Sequence, residues 1–160
     1  MRPVARNEPH SKLLTKTAKE VLLPEGMFQK GRSRTWIDDH GWWIIVIEFQ
    51  PSSWSKGSHL NVGAMRLWVE KDYFSFDDGY RVAPFVEYVN DDQFAPQARK
   101  LALAAREEVL KLRKRFASVQ LAARYLRRQV DQSPGKSVDN VPCGHLFRIR
   151  WGSVGGTSVL

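Results

Sequence analysis

The stretch GWWIIVIEFQPSSWSKGSHLNVGAMRLWV, residues 41–69, decides the fold because it holds two apolar segments joined by a polar one. Residues 42–49 are apolar at odd and even positions alike, except for Glu48, which is typical of a strand covered on both faces. Residues 60–69 read as a second strand, in which Gly63 indicates a bulge or a close backbone approach. We therefore expect two neighbouring strands, the first of them central, joined by a polar loop over residues 50–59.

Shorter elements are expected on both sides of this stretch. Residues 11–22 carry apolar side chains at helical spacing, and Pro24 and Gly26 end that helix. Residues 28–36 alternate and predict a strand. The segment DYFSFDDGYRVAPF, residues 72–85, predicts a hairpin with DDG at its tip and Pro84 at a sheet edge. A last short strand is expected over residues 85–89.

A long amphipathic helix is expected from Phe94 to about Val130. Apolar side chains recur there at spacings of three and four: Leu101, Ala105, Val109, Leu112, Phe116, Val119, Ala123 and Leu126. At 1.5 Å per residue such a helix spans roughly 55 Å, whereas a globule of this size is roughly 30–40 Å across. The helix must therefore bend, break near Ser118, or overhang the body and meet a partner.

Together these patterns predict an α+β domain. We expect an antiparallel sheet of four to five strands, with the long C-terminal helix and the short N-terminal helix packed on one face. The domain should span residues 11–130, preceded by a flexible arm at residues 1–10. A poorly ordered tail rich in Gly, Ser and Pro is expected at residues 131–160.

Length and composition point to one soluble domain. The 160 residues suffice for an apolar core, and the single cysteine, Cys143, cannot form a disulfide within the chain. The N-terminus lacks the apolar run of a secretory signal, and the longest apolar run, residues 42–47, is too short to cross a bilayer. We expect a cytoplasmic protein without membrane insertion.

The positive charge is concentrated in the long helix. Residues 99–128 hold ten basic and two acidic side chains, an excess that equals the net charge of +8 of the whole chain. The favoured interpretation is a solvated helix face. The alternative is a phosphate-contacting surface for non-specific, salt-sensitive binding of nucleic acid, formed by Lys111, Arg113, Lys114, Arg115, Arg124, Arg127 and Arg128.

Motifs that would carry catalysis or bind a cofactor are not convincing. SPGKS, residues 133–137, lacks the first glycine of a phosphate-binding loop and follows a helix rather than a strand. Cys143 and His145 lie in the expected tail, where no rigid element would hold a nucleophile against its base. One cysteine and four histidines do not make a zinc set. We therefore expect no metal, no cofactor and no catalytic residue from these motifs.

The loop QPSSWSKGSH, residues 50–59, is the better candidate site, with Trp54, Lys56 and His59 as interaction residues. Loops on a rigid sheet often carry recognition, and exposed tryptophan is a frequent anchor of interfaces. The alternative, which we favour slightly from the sequence, is that Trp54 folds back over the sheet edge.

Two further groups could form sites. Lys30, Arg32 and Arg34 would share one face of the first strand and could bind a carboxylate or phosphate, or protect the edge against pairing with other molecules. Glu48 and Arg66 lie on neighbouring strands and could face each other, as a structural or a catalytic pair.

Segments on either side of the polar loop carry a family resemblance. Their marks are the run around GMFQKG at residues 26–31, the strand end FQPS at residues 49–52, and LNVG at residues 60–63. Over roughly residues 10–130 the chain resembles a bacterial family known as domain of unknown function 4304, although Met27 separates Gly26 from Phe28. The resemblance implies a small α+β domain and no assigned activity. Within these marks, side chains of Gln50 and Asn61 could tie the two ends of the loop through hydrogen bonds to the backbone.

Three functions follow as hypotheses. The first is a non-enzymatic protein-interaction or accessory module, such as an immunity-like protein, which binds a protein partner or self-associates through the long helix. The second is non-specific association with nucleic acid. The third is an enzyme with a site around Glu48, Arg66 and His59; it ranks last because no companion acid or base can be placed.

Overall fold

The structure is a computed structural model that describes residues 8–68 and 70–132. Seven of the ten residues of the expected arm and all but two residues of the expected tail lie outside the described residues. Pro9 and His10 of the arm belong to the first helix, which begins two residues earlier than predicted.

Within the described residues, five strands and three helices follow one another along the chain. Their order is α1 (Pro9–Leu22), a single 3-10 turn (Leu23–Glu25), β1 (Phe28–Gln29), β2 (Thr35–Asp39), β3 (Trp43–Gln50), β4 (Gly57–Arg66), β5 (Asp78–Glu87), α2 (Asp91–Arg115) and α3 (Val119–Asp131). The 3-10 turn ends at Gly26, whose φ of 82° is the left-handed conformation that glycine adopts without strain. The α+β class is confirmed.

The sheet is an antiparallel meander in which strand order follows chain order. β3 lies in the centre, as its apolar pattern predicts, and all its residues are buried except Glu48 and Gln50, which are half-buried. β5 is an edge strand, so the expectation for Pro84 is also confirmed. The predicted strand over residues 28–36 is wrong, because residues 30–34 form the connection between β1 and β2.

All three helices pack on one face of the sheet, the helix face. Trp36, Ile45, Ile47 and Val62 point to this face and form one core with apolar residues of α1, α2 and α3. Burial of this continuous apolar surface is the main source of stability in a domain of this size. The expected placement of the helices on one face is confirmed.

The opposite face of the sheet, the open face, carries a smaller apolar core. Ile37, Ile44, Val46 and Met65 pack there against Phe76, which belongs to the segment 70–77 between β4 and β5. The predicted hairpin over residues 72–85 is therefore wrong. Asp78 and Gly79, expected at its tip, begin β5, and residues 70–77 cross the open face instead.

Two glycines allow this crossing. Gly63 and Gly79 are directly opposite in the register of β4 and β5. A Cβ atom on Gly63 would lie 2.7 Å from the Cα atom of Gly79 and 2.8 Å from Cδ1 of Phe76. The close backbone approach predicted for Gly63 is thus present, because the Phe76 ring occupies the space that a side chain would need.

The long helix predicted from Phe94 to Val130 is broken, which is one of the three outcomes that its length required. α2 ends at Arg115, and the Ser118 side chain caps α3 by accepting a hydrogen bond from the Leu121 amide. The predicted apolar stripe is buried as far as Phe116, whereas Val119 is 62% exposed. The break rotates α3 and turns part of the stripe towards solvent.

We expect Gly63→Ala to destabilise the protein by about 1–3 kcal/mol, because the new methyl group overlaps both Gly79 and Phe76. Urea unfolding followed by tryptophan fluorescence measures the free energy of unfolding.

In a double-mutant cycle, Gly63→Ala should cost less in a Phe76→Ala background than in the wild type, because the contact with the ring is absent there while the contact with the Gly79 backbone remains. A single Gly63→Ala variant as stable as the wild type would show that the two strands separate more easily than this packing implies.

Candidate functional site

Trp54 lies at the tip of the loop between β3 and β4, and its side chain is 93% exposed. The Ser52 hydroxyl accepts a hydrogen bond from the Trp54 amide at 3.1 Å, which shapes the tip into a tight turn. Trp54 therefore does not fold back over the sheet edge, and the slightly favoured prediction was wrong. Leaving this indole in water costs more free energy than burying it, since a tryptophan carries about 150–250 Å² of surface that burial would stabilise.

The end of this loop that enters β4 is fixed to the body. The Lys56 carbonyl accepts a hydrogen bond from the Tyr88 amide at 2.8 Å, and the Gly57 carbonyl accepts one from Arg34 Nη1 at 3.2 Å. Gly57 has a φ of 147°, and a Cβ atom there would lie 2.1 Å from the Val86 carbonyl oxygen. The loop is thus anchored by bonds and by close packing, which lowers the entropy that Trp54 loses on docking.

A row of polar side chains crosses the open face beside the loop. Asn61 Nδ2 donates to Glu48 Oε2 and to Gln50 Oε1, both at 3.1 Å. Arg81 Nη2 donates to the same Gln50 oxygen at 3.0 Å. The predicted tie between Gln50 and Asn61 is present, but it joins two side chains rather than a side chain and the backbone. We call Glu48, Gln50, Asn61 and Arg81 the polar row.

Glu48 carries a raised pKa within this row. Burial raises the pKa of its carboxyl group, while the hydrogen bond from Asn61 and the charge of Arg81 partly oppose the shift. A carboxyl group that holds its proton more tightly can donate as well as accept hydrogen bonds. The group that hydrogen-bonds to Glu48 is the Asn61 amide, which does not titrate. This arrangement therefore suits binding of a polar group better than proton transfer.

His59 lies on the open face opposite Gln50, and its ring packs at 4.9 Å from that of Phe85. Burial and the nearby charge of Arg81 lower the pKa of His59. Its Nδ1 atom is buried and has no hydrogen-bond partner within the described chain. His59 therefore lies on the same face of the sheet as the polar row and packs against β5.

The predicted pairing of Glu48 with Arg66 is wrong. In the register Glu48 is opposite Asn61, whereas Arg66 is opposite Trp43, on the other face of the sheet. Arg66 lies close to Asp77, with 4.0 Å between Nε and Oδ2, and its backbone amide donates to the same carboxylate at 2.8 Å. This pair fixes the segment 70–77 to β4 and has a structural role.

The three cations predicted on the first strand have three separate environments. Lys30 Nζ lies 4.6 Å from the centroid of the Phe74 ring, on the segment that crosses the open face. Arg32 is exposed. Arg34 reaches the start of α1, where its Nε donates to Ser11 Oγ at 3.2 Å. The turn that separates them is closed by hydrogen bonds from the Lys30 amide to Thr35 and from the Ser33 amide to Lys30.

Half of the basic residues over 99–128 form ion pairs with acids of this chain. These residues are Arg99, Arg106, Lys111, Arg113 and Arg115. Arg113 has the clearest structural role, because it joins α2 to two other parts of the fold. Its Nε donates to Asp38 at 2.8 Å and its Nη2 donates to the Glu25 carbonyl at 2.6 Å. Burial alone would raise the pKa of Asp38, but the hydrogen bonds from Arg113 and His40 outweigh it and lower the pKa.

Of the seven side chains predicted to contact phosphates, three are therefore engaged within the fold: Lys111, Arg113 and Arg115. The other four are exposed and, among the described residues, pair with no carboxylate: Lys114, Arg124, Arg127 and Arg128. Three of these four lie on α3, so any phosphate-contacting surface is smaller than predicted and centred on that helix.

Sequence reasoning missed Arg81, Tyr80 and His10 as members of polar clusters. Arg81 was placed on a hairpin arm, and its position opposite Asn61 depends on the register of β5. Tyr80, whose hydroxyl donates to Glu108, has a pKa raised to about 12, mainly by burial and by that bond. The sequence carries no signal for the contacts of Arg81 with Asn61 and of Tyr80 with Glu108, because they join residues 20 and 28 positions apart.

Several expectations lie outside the described residues, namely those on SPGKS, Cys143 and His145. Within residues 8–68 and 70–132, no group of three or more His, Cys, Asp or Glu side chains is arranged to hold a metal ion. None of the helices in that part of the chain is long and apolar enough to cross a membrane.

Comparisons with protein-family profiles, with curated proteins and with solved structures found no match. The resemblance to domain of unknown function 4304 therefore stays a prediction.

We expect Glu48→Gln to change how stability depends on pH. Because the folded-state pKa of Glu48 is raised, the wild type loses stability as pH rises from the unfolded-state value, about 4.3, through the folded-state value. Glutamine does not ionise, so the variant should gain stability relative to the wild type above this window. Urea unfolding at a series of pH values measures the difference.

Below pH 4 the Glu48→Gln difference should shrink, since the wild-type carboxyl group is then protonated in both states. A difference that stays constant across the whole pH range would mean that Glu48 titrates as an ordinary surface carboxyl group.

Proposed function

We propose that this protein is a non-enzymatic interaction module that binds a protein partner through Trp54. The observation that carries the proposal is an indole that is 93% exposed on a loop whose Lys56–Gly57 end is hydrogen-bonded to the body. A solvated tryptophan gains apolar burial on docking, and the anchored end of the loop limits the backbone freedom that is lost. Such residues dominate the binding energy of many interfaces.

The surroundings of Trp54 suit an interface rim. Lys56, two residues along the loop, has a side chain that is 62% exposed and pairs with Glu8 at 3.4 Å. Its position beside an apolar anchor resembles the usual interface plan, in which charged groups surround a buried aromatic residue. The partner's contact surface should therefore combine an apolar pocket with acidic groups.

Loss of the Trp54 side chain should weaken partner binding by at least about 2 kcal/mol, roughly 30-fold in Kd. The wild type, Trp54→Ala and Trp68→Ala are used as immobilised baits on cell extract, and proteins retained in a Trp54-dependent manner are identified by mass spectrometry. Calorimetry with the purified partner then gives the Kd of each variant.

Trp68→Ala serves as the matched control, since Trp68 is a half-exposed tryptophan that stacks on Trp42, outside the β3–β4 loop. Thermal unfolding should show that Trp54→Ala leaves Tm unchanged. The proposal fails if Trp54→Ala retains the same proteins as the wild type, or if Trp68→Ala loses them equally. Sedimentation of the wild type and Trp54→Ala tests a second copy of the chain as the partner.

Association with nucleic acid is a second candidate, favoured by exposed basic side chains on α3 that pair with no carboxylate among the described residues. Arg124, Arg127 and Arg128 lie within two turns of a helix whose single acidic residue is Asp131. Such a surface would bind phosphates through charge, without reading the base sequence.

Replacing Arg124, Arg127 and Arg128 by Gln should weaken duplex binding and reduce the slope of log K against log salt by about 2–3. Fluorescence anisotropy with a labelled duplex between about 50 and 200 mM NaCl measures both quantities. The control replaces the exposed Lys12, Lys16 and Lys19 of α1, which removes the same charge. Equal losses in both variants would show net-charge attraction without a defined surface.

A further inference from the structure

Arg34 is a partly buried cation whose hydrogen-bond donors are not all satisfied within the described residues. Its Nε donates to Ser11 Oγ and its Nη1 to the Gly57 carbonyl, each at 3.2 Å. Its Nη2 atom is buried and, among the residues that the structure describes, has no hydrogen-bond partner. Since a guanidinium group keeps its charge in proteins, a buried donor of this kind is costly without an anion beside it.

His10 provides a second buried donor next to the first. Its side chain is 3% exposed, and its Nδ1 atom lies 3.5 Å from Glu8 Oε2 without forming a hydrogen bond in the described part of the chain. Burial lowers the pKa of His10, as do the charges of Arg34 and Lys56, whereas Glu8 opposes them. Arg34 is hydrogen-bonded to Ser11, which follows His10 in the chain, and to Gly57, which follows Lys56, so the three basic side chains lie in one region of the surface.

Glu8 carries the carboxylate that lies beside His10 and Lys56 and whose charge acts on Arg34, and it fits these groups poorly. Lys56 Nζ and His10 Nδ1 lie 3.4 and 3.5 Å from the same oxygen, Oε2, which is itself buried and unbonded within residues 8–68 and 70–132. Glu8 is also the residue before α1, a helix of 14 residues whose N-terminus it does not cap with its side chain. The positive end of the helix dipole adds to the field at this point.

We propose that His10, Arg34 and Lys56, at the start of α1, form a binding site for an oxyanion, a phosphate or carboxylate group that displaces the Glu8 side chain. A phosphate carries three or four acceptor oxygens, so it can reach the Arg34 Nη2 and His10 Nδ1 donors that one distant carboxylate oxygen leaves unbonded. It also carries more charge than Glu8, whose single negative charge faces two permanent cations. Glu8 then acts as an internal competitor.

The test is a titration of the isotope-labelled full chain with sodium phosphate at constant ionic strength, followed by NMR at the Arg34 Nε–Hε group and the Ser11 and Gly57 amides. The wild type should show saturable shifts at these groups. Glu8→Gln should bind phosphate several-fold more tightly, because it removes the competing carboxylate. Lys56→Gln should bind about two- to fivefold more weakly, the range expected for one partly exposed charge.

Arg32→Gln is the matched control, since Arg32 is an exposed cation in the same β1–β2 connection and should leave the affinity unchanged. A parallel titration with acetate identifies the group: equal affinity for acetate assigns a carboxylate, and preference for phosphate assigns a phosphate. The proposal is overturned if the Arg34 signal shows no saturable shift, if Glu8→Gln does not tighten binding, or if Arg32→Gln weakens it as much as Lys56→Gln.

The oxyanion site and the Trp54 proposal fail separately. The titration needs no protein partner, and Trp54→Ala should leave the phosphate affinity unchanged. If both single variants, Glu8→Gln and Lys56→Gln, lost phosphate binding while their far-UV circular dichroism stayed normal, the proposed site would be contradicted, because misfolding would not explain the loss.

Discussion

Burial of both faces of β3 is the constraint on which the rest of the structure depends. From Trp43 to Ile47 its side chains alternate between two apolar cores, so the sheet needs a cover on each side. The helices cover one side, with Arg113 of α2 bound to Asp38 of the sheet. The segment 70–77 covers the other, and it can lie close to the sheet because Gly63 and Gly79 have no side chains there.

The segment 70–77 covers only part of the open face, and polar side chains occupy the part that it leaves uncovered. The rows of β3 and β4 that contact Phe76 are apolar, whereas the next rows contain Glu48 and Gln50 opposite Asn61 and His59. Buried and half-buried polar groups require hydrogen-bond partners, and the side chains of the polar row supply them to one another. The Trp54 loop lies at the same end of the sheet as the His10, Arg34 and Lys56 side chains, beyond the reach of the segment 70–77.

Local sequence patterns predicted an element correctly where the burial of its side chains follows from the periodicity of that element alone. The two-sided apolar run identified β3 as central, and the stripe of α2 was right as far as Phe116. The same reasoning was wrong where long-range packing decides. The segment 70–77 was read as a hairpin arm, because its aromatic residues suit a strand and also suit a cover over one. Charge counting likewise could not show that Arg113 and Arg115 are bound to Asp38 and Asp78.

The sequence by itself determined the α+β class, the central position of β3 and the concentration of positive charge in residues 99–128, because periodicity and composition are local properties. Tertiary structure alone decided which charges are neutralised, which residues face Glu48, and that Trp54 points into solvent. These outcomes depend on register and on loop anchoring, in which contacts such as Arg34 with Ser11 and Gly57 join residues 23 positions apart. No pattern within a short window of sequence encodes such a distance.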